Sequence, residues 1–197
     1  MGHAAFDNSD FLGAALALAG ERGPSAVTVA AISAKLKAPT GSFYHRFASR
    51  DALLAELWFN TVLAFQEGIA AALDAGDGLR AALHTPAWVR AHLDEGRLLL
   101  LYHRDDFVQG DWPQALRDGL AEQARCGEAR LRKFARETFG RAGPGEIRRA
   151  QFVLSEVPVA AVRPYLQRRE KPPAIVDEMI ATTYRAIVDA NRRISPP

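Results

Sequence analysis

The sequence predicts an all-α fold. Ala, Leu, Glu and Arg dominate it, β-branched residues rarely alternate with polar ones, and Gly and Pro fall between periodic stretches rather than inside them. With 197 residues, 48% of them hydrophobic, the chain can bury a substantial core as one domain or two small ones.

The first expected helix covers residues 9–22, with Leu12, Ala15, Leu16 and Ala19 on one face, and Gly23 and Pro24 stop it. Two short helices follow, and then a long one. Ser49 is a good N-cap for it, Asp51 sits in its first turn, and apolar residues continue through Leu73 until Gly76 and Gly78 break the pattern. A helical stretch over 79–93 is expected to be interrupted or restarted at Thr85 and Pro86, because Pro86 suits a first turn better than an interior. Another covers 97–103. Beyond a polar loop at 105–111 come three long segments, 113–139, 146–168 with kinks at Pro158 and Pro164, and 173–193. There is no internal repeat and no low-complexity segment.

Composition excludes several classes. No apolar run reaches the roughly 18–20 residues a bilayer span needs, and Asp7 and Asp10 spoil any secretory pattern at the N-terminus, which implies a cytoplasmic protein without a membrane partner. The single cysteine, Cys126, can form neither an internal disulfide nor, alone, a zinc site, and no cofactor or metal is implied. A formal charge of +2 announces no polyanionic partner. Its distribution is uneven, however: from Arg22 to Arg50 the chain carries Lys35, Lys37 and Arg46 besides those two arginines, and no Asp or Glu.

The informative stretch is 28–54. Thr28 can cap a helix whose Val29, Ile32 and Leu36 share a face. Ala38 precedes Pro39, which drives Ala38 out of helical dihedrals and makes Pro39 a pre-organised first residue of the next helix. There Phe43 and Phe47, at i and i+4, can pin the helix inward. Thr40, Ser42, Tyr44 and His45 then face outward, and Gly41 allows close approach. A small, polar helix face flanked by cations and free of acids suits a DNA major groove.

This stretch resembles the DNA-binding head of the TetR family. The resemblance rests on Thr28-Val29, on the run from Gly41 to Phe47, and on Ser49-Arg50-Asp51-Ala52-Leu53 at the start of the long helix. It implies a three-helix helix-turn-helix head over 1–48 and a helical ligand-binding and dimerisation body over 49–197. It further implies that Thr28, Tyr44, His45 and Arg50 contact phosphates and that Pro39, Thr40 and Ser42 approach bases. Two positions depart from the pattern. Lys37 stands where the turn usually has Gly, so either a lysine adopts positive φ, at a cost of about 1 kcal/mol, or the turn is remodelled. Ala31 stands where an acid is common.

The body carries no motif of its own. The resemblance implies a homodimer through the two C-terminal long helices, and Ile175, Met179, Ile180, Thr183, Ile187 and Val188 exceed what one buried face needs. It also implies a small-molecule effector, with operator DNA as the other partner and repression as the usual mode. Large aromatics and polar groups are the candidate ligand contacts: Trp58, Trp88, His92, Tyr102, Cys126 and Glu156, the last inside an apolar run where an unpaired charge is costly. Trp112 and Phe134 join them as secondary candidates.

Two other classes are open at this level. The chain lacks HExxH, the paired Glu-x-x-His of di-iron bundles, a P-loop, GxSxG and SxxK, so no catalytic residue is assigned. The glycines at 140, 143 and 145 follow a helix and flank Pro144, as in a helix-helix turn. The cluster from Tyr102 to Asp106 reads as a helix end and a polar loop. A helical protein-interaction module that no longer binds DNA is the third class, kept open by Lys37.

Overall fold

The computed structural model describes residues 6–107 and 112–194, with side chains described to residue 190. Among these residues there are helices and no strands. Most of the expected loop at 105–111 lies outside them; its first residues form a 3₁₀ turn, Arg104–Asp106, in which Asp106 accepts the His103 N–H at 2.7 Å.

Helix α1 (Asn8–Arg22) opens with a reciprocal cap: Asp7 Oδ1 accepts the Asp10 N–H at 3.0 Å and Asp10 Oδ2 accepts the Asp7 N–H at 2.8 Å. Its buried face is Phe11, Ala14, Ala15, Leu18 and Ala19, rotated from the expected one. Phe11, missed as the anchor, takes the centre of the core, and Leu12 and Leu16 pack at its edge. A 3₁₀ turn, Pro24–Ala26, leads to α2 (Val29–Leu36) and α3 (Thr40–Tyr44).

Helix α4 (Arg50–Asp74) starts where its cap requires, with the Ala52 N–H donating to Ser49 Oγ at 3.0 Å. Gly76, at φ 75°, turns the chain, and Asp77 caps α5 (Gly78–Ala91). Contrary to expectation, α5 runs unbroken through Pro86. Pro86 costs the helix one backbone bond, but it lies buried beside Thr85, Trp88 and Val89, and this packing outweighs the loss. Helix α6 (Leu93–Leu101) begins earlier than expected, because His92 leaves helical dihedrals and Asp94 and Glu95 then complement the N-terminal turn.

Helix α7 (Gln114–Phe139) ends at Gly140 (φ 83°), and Pro144 opens α8 (Pro144–Gln151). A π-helical turn, Phe152–Glu156, joins α8 to α9 (Val157–Arg168), and the Val157 N–H bonds Phe152 O five residues back. Pro158 explains it: with no N–H to give Leu154 O, and a ring that crowds that carbonyl, it favours a widened turn just before it. Pro164 sits within α9 without breaking it. Helix α10 (Ile175–Ile194) completes the described chain.

Two compact units result, one drawn from Met1–Val62 and Asp94–Leu120, the other from Leu63–Leu93 and Ala121–Pro197. In the first unit α6 packs on the same core as α1: Leu98 is fully buried there, and the buried Arg97 donates Nε–H to Gly20 O at 2.9 Å. Glycine is required at 20, since a Cβ would come within 2.6 Å of Asp94 Oδ1. The second unit packs α5, α9, α10 and the π turn around residues such as Val89, Val153, Leu166 and Ile180. Arg90 ties it together, donating to Pro172 O at 2.7 Å and pairing with Asp177 at 2.9 Å.

Lys37 is left-handed at φ 54° and ψ 35°, and so closes α2 in the way glycine usually does. Lys37→Gly is expected to stabilise the protein by up to about 1 kcal/mol, raising Tm by roughly 2–4 °C for a chain of this size. Thermal unfolding measures it. A lower Tm would mean that the lysine stem contributes packing worth more than the strain.

Candidate nucleic-acid interface and body cavity

The helix-turn-helix is built from a cap, a left-handed turn and an aromatic cluster. Thr28, extended at φ −116° and ψ 157°, accepts the Ala31 N–H on Oγ1 at 3.1 Å and so fixes where α2 begins. At its other end the Lys37 N–H bonds Ala34 O and the Ala38 N–H bonds Ser33 O, so the lysine completes the turn without remodelling it. Pro39 is the residue before α3 rather than its first: its ψ of 139° is extended, and the Ser42 N–H donates to its carbonyl at 2.9 Å.

Phe43 and Phe11 are fully buried and Phe47 nearly so. Their ring centroids lie 5.9 Å (Phe11–Phe43), 6.3 Å (Phe11–Phe47) and 5.7 Å (Phe43–Phe47) apart. With these rings inward, Thr40, Gly41, Tyr44 and His45 are exposed and Ser42 is half-buried. Tyr44 is 59% exposed, yet its ring stands edge-on to Phe43 at 5.3 Å, which holds the phenol in place. A Cβ on Gly41 would touch nothing, so the backbone there lies open to the outside. Lys35 and Lys37 are exposed. Arg46 lies over the Phe11 ring at 5.8 Å, with Nη1 on Ser42 O.

Residues 11–57 match the family model described as bacterial regulatory proteins, tetR family. The chain carries a TetR-family DNA-binding head. Ten solved chains match this one. One, a Shewanella sp. PV-4 protein assigned to the tetR family of transcription regulators, superposes with a TM-score of 0.67 at 18% identity, covering 93% of this chain and 96% of its own. That likeness is one of fold. No curated protein matches the chain.

Arg50 behaves differently from the exposed candidates. Its Nε donates to Val27 O at 2.5 Å, Nη2 to Pro24 O at 2.8 Å and Nη1 to Asp51 Oδ1 at 2.8 Å. In this conformation the guanidinium braces the α1–α2 turn against the first residue of α4. Carbonyls as its partners gave the sequence no signal.

The ligand-contact candidates are dispersed. In the first unit, Trp58 packs edge-on to the buried Trp112 at 5.6 Å, and Tyr102 covers Gly23 and stands edge-on to Phe107 at 6.2 Å. In the second, Trp88 is buried against Phe65 at 5.0 Å, with His92 tilted on it at 5.2 Å. Phe134 is buried there too, its ring edge-on to Phe139 at 6.1 Å and tilted against Tyr184 at 6.4 Å. Glu156, whose apolar surroundings left both a buried and a solvent-facing placement open, is exposed and paired with Arg148 across the π turn. The turn's altered register carries its carboxylate outward.

A cavity of about 270 Å³ lies in the second unit, between Phe65, Ile69 and Leu73 of α4, Gln123 and Leu131 of α7, and Leu154 of the π turn. A wider open hollow shares Gln66, Ala70, Gln123 and Arg130 with it and includes Cys126. Trp88 reaches the cavity only through Phe65. The sequence concealed these walls, because glutamines on amphipathic helices look like solvent-facing residues until the facing helix is known. Their spacing was a usable sign: Gln123, Gly127, Arg130 and Leu131 fall at i, i+4, i+7 and i+8.

Among the described residues no helix is long and apolar enough to cross a membrane, and no three His, Cys, Asp or Glu gather as a metal site.

Arg50→Ala removes two part-buried bonds to turn carbonyls, of which Pro24 O keeps the Val27 N–H, and is expected to destabilise the head by roughly 1–2 kcal/mol. Denaturant unfolding measures this. Unchanged stability would mean that the brace is dispensable.

Proposed function

We propose that the protein is a homodimeric repressor that is released from its operator by a small, largely apolar molecule bound in the second-unit cavity. The supporting observation is that α4, whose first residue Arg50 is tied to the head's α1–α2 turn, supplies cavity-wall residues Phe65, Ile69 and Leu73. One continuous helix thus has an end in each place.

On the DNA side, Tyr44, His45 and Thr28 reach phosphates, while Thr40, Ser42 and the backbone at Pro39 and Gly41 approach base edges. Lys37 adds a cation beside them, and Arg50 acts chiefly through the turn it braces. A dimer reads half-sites about 34–36 Å apart, so a ligand that favours a different spacing of the two heads lowers operator affinity. A coupling of about 1–3 kcal/mol weakens DNA binding roughly 5- to 150-fold, and DNA must weaken ligand binding by the same factor.

For assembly, the favoured surface combines Phe152 of the π turn, 38% exposed, with Ile175 and Met179 of α10, 51% and 60% exposed. Val176, Ile180 and Val188 already provide the helix's inward face, so this second apolar strip is surplus to the fold.

Tyr44→Ala should weaken operator binding while leaving both the stability and the slope of log affinity against log salt unchanged, because a neutral phenol releases no counterion. Unaltered operator affinity would remove Tyr44 from the interface. Sedimentation equilibrium at micromolar concentration should give twice the 21.5 kDa chain mass, and Met179→Asp should shift it to monomer. A wild-type monomer would end the dimer reading.

A further inference from the structure

The cavity's charge and hydrogen-bonding inventory restricts what it can hold. Apolar side chains form most of its wall, and its polar groups are the carboxamides of Gln66, Gln123 and Gln151, the Ser155 hydroxyl and the Arg130 guanidinium. Arg130 is already engaged. Its Nε lies 3.0 and 3.1 Å from the Asp74 carboxylate oxygens and its Nη2 3.1 Å from one of them, a bidentate pair. The hydrogen bond from Arg130 holds Asp74 below the usual carboxylate range, and Asp74 in turn raises Arg130, so both keep their charges.

A carboxylate entering the cavity would find the one cation neutralised, with Asp74 and Glu67 both lining the adjoining hollow. An ammonium would be set into a wall that contains a guanidinium. Either would be desolvated without a partner charge. Carboxamides and a hydroxyl, by contrast, offer donors and acceptors that match neutral polar groups. A water takes about 30 Å³ in the liquid, so a cavity of about 270 Å³ has room for roughly nine to twelve non-hydrogen atoms.

The geometry points to an uncharged ligand of that size, an apolar or aromatic body ending in an amide, carbonyl or hydroxyl group gripped by the glutamines. This assignment rests on the ligand-responsive reading above and names the chemical class it requires. The Arg130–Asp74 pair then serves as a selectivity device, since the carboxylate that occupies the guanidinium denies it to anionic ligands.

The test uses three probes with one body, phenylbutyramide, phenylbutyrate and phenylbutylamine, titrated calorimetrically into the full-length protein at neutral pH. The amide should bind at least about tenfold more tightly than either ion. Gln66→Leu and Gln123→Leu should each reduce amide affinity about 2- to 10-fold and narrow its lead over the carboxylate, which a purely structural effect would not do. Asp74→Asn frees Arg130 and should bring the carboxylate level with the amide or above it; Asp74 is 54% exposed, so the variant folds. A Cβ on Gly127 meets open space in the cavity wall, so Gly127→Phe should abolish binding without disturbing the fold. A wild-type preference for phenylbutyrate or phenylbutylamine overturns the assigned class but leaves a ligand-responsive regulator. Amide binding that survives Gly127→Phe also overturns it. If no probe binds at millimolar concentration, both readings fall.

Discussion

The head depends on the packing of Phe43 and Phe47 against Phe11. Helix α3 is five residues long, far too short to persist by backbone hydrogen bonding alone, since nucleation is unfavourable and too few bonds follow to repay it. Tertiary burial must hold it, and burying each phenylalanine contributes about 1.5–3 kcal/mol. The same contact sets orientation: with rings at i and i+4 turned inward, the outward residues can only be Thr40, Gly41, Tyr44 and His45. Stability and recognition at this site are therefore one geometric fact, and the phenol of Tyr44 inherits its position from the Phe43 ring beside it.

Around that cluster, main-chain carbonyls are tied to distant helices by arginines. Arg50 bonds the carbonyls of Pro24 and Val27, and Arg97 bonds that of Gly20. Gly20 lies in the last turn of α1, where helix geometry leaves carbonyls without partners, and Pro24 and Val27 lie in the turn after it, the Pro24 carbonyl also accepting the Val27 N–H at 3.1 Å. Gly20 and Gly23 make the approach possible, the first because Asp94 occupies the space a side chain would need, the second because φ is 85° and Tyr102 lies over it. The end of α1 is thus held from α4 and from α6 at once, which is why the compact unit around the head includes residues 94–120.

What the sequence made legible follows from how local each signal is. The cap at Thr28, the turn at Lys37, the inward phenylalanines and the Ser49 cap are set by neighbours within a few positions, and each is where the pattern placed it. The register of α1 was not legible, because Leu12 and Leu16 make as good a stripe as Phe11 and Leu18 until the partner core is known. Pro86 misled for a related reason: its local cost argues for a break, and only the packing of α5 against α9 and α10 shows what overrides it. For Glu156 the apolar neighbours left burial and solvent exposure both open, and only the π turn shows which way the residue faces. The cavity walls come from segments some sixty to ninety positions apart, and no local pattern joins Phe65 to Gln123 or Leu154.

Pro158 links these observations. By denying an N–H to the preceding turn it favours the π-helical stretch, and that stretch serves two surfaces, with Leu154 and Ser155 lining the cavity and Phe152 exposed on the strip proposed for dimerisation. A turn already in an i+5 register has weaker geometry than a regular helix and yields more readily to a displaced side chain. The cavity accordingly has one wall in α4, fixed to the head through Arg50, and another in the turn that carries Phe152. In the proposed mechanism a ligand works on the head through the first and on the subunit contact through the second. In that mechanism operator affinity depends on the spacing of two heads, so a shift along either route would be sufficient to change it.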